Sequence, residues 1–91
     1  MSQRQKDKIY VEDARIIKVL EKPFIKKLLN SFDRKPLSAS EIADSISFPK
    51  DKIYYHIKKL LSLNILYVAE TELKKGLEKK KFLPTARSFE Y

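Results

Sequence analysis

Leu37–Leu61, LSASEIADSISFPKDKIYYHIKKLL, reads as two short helices joined by a tight turn. Ser38 is placed to cap the first helix, and Glu41, three residues on, to reach back to the Ser38 amide in a capping box. Ile42, Ala43 and Ile46 then share one helical face, where small Ala43 allows a second helix to approach closely. Ser47-Phe48-Pro49 breaks the run, because the residue before a proline is pushed out of the helical region and Pro49 suits a first helical position. Beyond it Ile53, Ile57, Leu60 and Leu61 form a new apolar stripe at helical spacing. This is a helix-turn-helix pattern, whose second helix usually enters the major groove of DNA.

Working outward, residues 1–11 are expected to be a flexible N-terminal tail, with MSQRQKDKI mostly polar and charged. A first helix is predicted from about Glu12 or Asp13 to Lys22, with Ile16, Ile17, Val19 and Leu20 on its apolar side. Pro23 ends it and starts a second, in which Phe24, Ile25, Leu28, Leu29 and Phe32 make a buried stripe. Asp33-Arg34-Lys35-Pro36 is a polar connection to the helix-turn-helix. After that pair, Asn64 sits where the chain must turn left-handed, which asparagine tolerates better than most residues. Ile65–Glu70, ILYVAE, is β-branched and aromatic and reads as a strand. Lys79–Leu83, KKKFL, returns as its partner across a charged segment holding the chain's single glycine, Gly76, and Phe82 reaches the core. Pro84 closes the hairpin, and Thr85–Tyr91 is expected to begin another helix.

Ninety-one residues make one small domain with a single modest core. Twenty Lys and Arg against twelve Asp and Glu give a net charge of +8 and a pI near 9.7. That balance suits a polyanion binder, though a solvated lysine-rich surface is the plain alternative. There is no cysteine, which excludes disulfides and thiolate metal sites. The longest apolar runs span a few residues, too short for a membrane segment or a signal-peptide core, so a cytoplasmic protein is expected. Catalysis finds no support: no Gly-rich phosphate loop, no cysteine nucleophile, and one histidine without a serine–acid arrangement. Ser38, Ser40 and Ser45 are explained by capping and helix-end chemistry. Metal binding at His56 is not expected either, since one imidazole without carboxylates at ligand spacing makes no site. No cofactor is implied.

Three helices followed by a β-hairpin is the winged-helix arrangement, mainly α with a small hairpin. KPLSASEIADSISFPKDKIYYHIKKLLSLNILYVAE followed by GLEKKKFLPTARSF resembles the winged-helix domain of ArsR-like transcriptional regulators. Members of that family carry a "PK…YHLKKL" recognition helix, a "GLV" strand entry and a "G…EK…TA" exit at the same places. The resemblance runs from about Asp13 to Phe89. Ser47 and Asn64 stand where members usually have glycine, so both turns are expected to carry some strain. The resemblance implies a winged-helix DNA-binding domain over residues 12–91, a regulator acting on double-stranded DNA, and a homodimer. It also implies that positions matching Lys50, Asp51, Tyr54 and Tyr55 are among those facing DNA. The metal-sensing branches use cysteine pairs or clustered histidines and carboxylates, which this chain lacks. With a C-terminal helix expected to be barely begun at Tyr91, the chain reads as the N-terminal part of a longer regulator with a C-terminal effector domain.

A helical wheel through Lys50–Leu61 sets the core direction by Ile53, Ile57 and Leu60. Tyr55 points almost opposite, flanked by Asp51, Lys52, Lys58 and Lys59, with Lys50 and Tyr54 toward the edges. Lysines can neutralise phosphates or donate to guanine, and tyrosine hydroxyls can bond phosphates or base edges. A recognition helix over about residues 49–63 is therefore expected to lie in the major groove. A wing over about residues 71–83 would sit on the backbone through Lys74, Lys75 and Lys79 of its basic cluster, which Lys80 and Lys81 extend. The alternatives are an amphipathic helix with a solvated face, and lysines that guard a hairpin edge against aggregation. Asp51 would repel phosphate but suits the first turn of a helix. The rival function is a winged-helix protein-interaction module without direct DNA reading. RNA binding is a weaker third reading, since no aromatic stacking sheet is evident.

Overall fold

The computed structural model describes residues 5–91. In chain order they form β1 (Lys6–Tyr10), α1 (Ala14–Glu21), α2 (Pro23–Asn30), α3 (Ala39–Ser45), α4 (Lys50–Ser62), β2 (Leu66–Lys74), β3 (Leu77–Pro84) and β4 (Ala86–Glu90). The helix-turn-helix and the hairpin behind it are both present. Two elements at the chain ends differ from expectation. Over Lys6–Tyr10 the expected tail is a strand, while residues 1–4 of that tail lie outside the described residues. The helix expected from Thr85 is instead β4, and β1 pairs with it in parallel, Ile9 opposite Phe89. The fold thus carries more strand than a mainly α domain with one small hairpin.

The reason lies in burial. Ile9 and Phe89 are half-buried and pack on the core, and Val11 is buried behind them. Thr85-Ala86 is also buried, where the chain leaves β3. An extended chain alternates faces, so Ile9 and Phe89 can reach the core while Lys8 and Glu90 meet outside at 3.2 Å. Neither segment shows strand periodicity long enough to stand out alone.

Each helix end has a physical cause. Asp13 caps α1 by accepting from the Arg15 amide at 2.8 Å. Pro23 occupies the start of α2, where its missing N–H is no loss. The capping box at α3 forms as read: Ser38 Oγ accepts from the Glu41 amide and Glu41 Oε1 from the Ser38 amide. Pro49 is the residue flanking α4 rather than its first helical one, with extended backbone.

α3 and α4 both end in Schellman motifs on residues other than glycine. After α3, the Phe48 amide donates to Ala43 O (2.9 Å) and the Ser47 amide to Asp44 O (3.3 Å), with Ser47 at φ 54°. After α4, Ile65 donates to Leu60 O (2.9 Å) and Asn64 to Leu61 O (3.1 Å), with Asn64 at φ 62°. These are the two turns at which strain was expected.

The core joins the apolar faces of all four helices to the base of the hairpin. Leu28, Ile42, Ile53, Ile57, Leu60, Ile65 and Leu66 are its fully buried side chains. Phe82 of β3 reaches it, as expected. Leu37 bridges to Phe82 from the far side of β3, adding a short third strand segment to the hairpin. The arms run longer than expected, to a two-residue turn at Lys75-Gly76 whose φ values of 52° and 77° are both positive, as a type I′ turn requires.

Candidate nucleic-acid interface

Helix α4 is fastened by one face and open on the other. Ile53, Ile57 and Leu60 are buried, while Lys50, Asp51, Lys52, Tyr54, Tyr55, Lys58 and Lys59 are all exposed. A helix with a 3.6-residue period must show this split when one side of each successive turn enters a core. Tyr54 is 56% and Tyr55 69% exposed, unusual for aromatic rings adjacent in sequence. Asp51 lies in the first turn of α4, where a carboxylate complements the helix dipole. Lys50 Nζ sits 3.6 Å from Asp44 Oδ1, an exposed pair that holds the lysine only weakly.

The hairpin brings its lysines to one side of this helix. Lys74, Lys75 and Lys79 line a groove of about 520 Å³ with Tyr54, Ser38, Ser40 and Leu77. Tyr54 and the three hairpin lysines named from the sequence are therefore assembled in one place. Tyr55 belongs elsewhere: with Lys59 it lines a second groove, against Phe24, Phe48 and His56. One peptide bond separates two tyrosines that face two different grooves.

Several residues at these grooves escaped the sequence reading. Ser40, treated there only as helix-end chemistry, opens onto the hairpin groove. Lys22, at the junction of α1 and α2, joins Lys59 at the second groove across a sequence gap that no periodicity spans. Lys81 faces inward to Glu41 (3.9 Å) and Glu72 (3.5 Å), so it braces the hairpin against α3 instead of projecting outward. Glu41 is held below its ordinary carboxyl range first by the Ser38 amide, with Lys81 and Lys79 adding to the effect. Leu73 and Leu77, 80% and 75% exposed, flank the hairpin turn as bare apolar side chains.

His56 is packed between Phe24 (ring centroids 4.7 Å), Phe48 (5.6 Å) and Tyr55 (5.5 Å). Burial, reinforced by Lys59 and Lys22, pushes its pKa below the ordinary 6.5. Among the described residues no group of three or more His, Asp or Glu could hold a metal ion. No helix there is long and apolar enough to cross a membrane.

No protein-family model matches the sequence, and no curated protein matches it. The fold is similar to the crystal structure of NolR from Sinorhizobium fredii, with a TM-score of 0.63 over 81% of this chain and 69% of that one. Sequence identity is 14%, so the likeness is one of fold.

Proposed function

We propose that the chain is a winged-helix DNA-binding domain of an ArsR-like transcriptional regulator, working as a homodimer on double-stranded DNA. The observation that carries this reading is the open polar face of α4, two exposed tyrosines among lysines, beside a hairpin whose lysines share a groove with it. The fold likeness to NolR, a winged-helix transcriptional regulator, supports the winged-helix arrangement in this reading.

In this reading α4 enters the major groove. Tyr55, with Tyr54, reads base edges, and Lys50, Lys52, Lys58 and Lys59 neutralise phosphates. Asp51 orders the helix start. Lys74, Lys75 and Lys79 hold the backbone from the hairpin. Half-buried Ile16 and Ile17 of α1 offer an apolar strip for a second copy. Fluorescence anisotropy on random and selected duplexes tests the reading, with selection of bound sequences from a random library supplying the second set. Affinity must fall steeply with added salt, and a palindromic consensus would report the dimer. Salt-independent affinity sinks the proposal.

A second reading, a protein-interaction module, is favoured by Leu73 and Leu77, bare at the hairpin tip. It prevails if charge reversal at Lys52 and Lys58 leaves activity intact while substitution at the tip or in α1 abolishes it.

A further inference from the structure

The second groove, away from the hairpin, has a composition of its own. Val19, Ile25 and Leu60 line it with Phe24, Phe48, Tyr55 and His56, and its volume is about 450 Å³. That lies within the range of small-molecule sites, roughly 300–1,000 Å³. Phe24 and Phe48 stand 4.7 Å apart and tilted by 48°, with the imidazole of His56 4.7 Å from Phe24. Tilted rings leave faces and edges on which a further planar ring can stack.

Charge narrows the class of occupant. The groove's lining includes two lysines, Lys22 and Lys59, and no acidic residue. Among the described residues neither lysine takes part in an ion pair. Lys22 and Lys59 both line the groove beside His56, and after burial they add to the lowering of its pKa. The imidazole is then neutral near pH 7, able to stack or to share a hydrogen bond. An apolar, aromatic slot with unpaired cations at its side is complementary to a flat ring carrying one negative charge.

We propose that this groove is an effector site for a small planar aromatic carboxylate, its ring against Phe24, Phe48 and His56 and its carboxylate between Lys22 and Lys59. Occupancy neutralises Lys59 and covers one side of Tyr55, so ligand and DNA oppose each other. That opposition rests on the DNA reading above. Binding of the carboxylate does not.

The test uses 2-naphthoate, with neutral 2-naphthalenemethanol as control, on the whole chain. His56 is the single histidine, so its ring protons are an isolated nuclear magnetic resonance reporter. Naphthoate should shift those protons with a dissociation constant on the order of 1 mM or tighter, the affinity expected for a ligand of that size. The alcohol should bind more weakly. The double variant Lys22→Gln/Lys59→Gln, checked for unchanged circular dichroism, should lose roughly fivefold or more in naphthoate affinity. An unmoved His56 signal, or equal binding of acid and alcohol, overturns the site. Naphthoate should also release a labelled duplex from the wild-type chain, and unchanged duplex affinity at saturating naphthoate overturns the opposition. A chain that binds naphthoate but no duplex supports the site and defeats only the DNA reading.

Discussion

The Thr85 hydroxyl, 3% exposed with its residue, donates to the Asn64 carbonyl at 2.8 Å. It also lies 3.2 Å from the Ile65 carbonyl, which accepts the Thr85 amide as well at 2.8 Å. The left-handed turn that ends α4 is thereby tied to the point where β3 passes into β4. One side chain fixes the exit of the proposed reading helix against the C-terminal strand. Thr85→Val keeps the shape and removes the donor, leaving the part-buried Asn64 carbonyl short of a partner, while the Ile65 carbonyl keeps the Thr85 amide. It should cost about 0.5–1.5 kcal/mol in urea unfolding. An unchanged midpoint would show that the hydroxyl contributes nothing.

Phe32 and Ile57 are expected from the sequence to be buried, and they are 2% and 1% exposed. Phe32→Ala and Ile57→Ala should each lower stability by about 2–5 kcal/mol, since each deletes packed volume that the neighbours cannot fully reclaim. Thermal denaturation measures both.

Ser47 holds φ 54° without the freedom of glycine. Ser47→Gly should therefore raise stability by about 0.5–1 kcal/mol, the relief of left-handed strain exceeding the entropy lost by the unfolded chain. A lower melting temperature for the variant would mean that the turn is not strained.

His56 links stability to pH. Burial first, then Lys59 and Lys22, depress its pKa below 6.5 in the folded state. A group with a depressed folded pKa contributes stability that is complete above its unfolded pKa and is lost as pH falls through the folded one. Urea midpoints should therefore decline from about pH 6.5 downward. Glu41, also depressed in the folded state, adds its own decline only below its ordinary 4.5, so the two declines begin at different pH. His56→Gln should flatten the upper decline and leave the lower one.

Tyr55 and Lys59 separate reading from positioning. Tyr55→Ala should cost about 1–3 kcal/mol of binding to a selected duplex while leaving random duplex nearly unaffected. Lys59→Ala should weaken both and make the salt slope shallower by about one unit. Equal losses on selected and random duplexes for Tyr55→Ala would make that tyrosine a phosphate contact.

Local sequence determined the helix-turn-helix of this chain. The capping box at Ser38, the break before Pro49 and the stripes through Ile42 and Ile57 act within a few residues, so a helical period and its end signals suffice. Left-handed backbone at Asn64 and the hairpin core contact of Phe82 were legible for the same reason. The pairing of β1 with β4 was not. It joins Ile9 to Phe89 across almost the whole chain, and two short charged segments become strands only because each finds the other over a common core. The division of Tyr54 and Tyr55 between two grooves was equally hidden. A helical wheel places both outside the core, but which neighbours flank them depends on where the hairpin and the α1–α2 junction pack, and that is a tertiary decision.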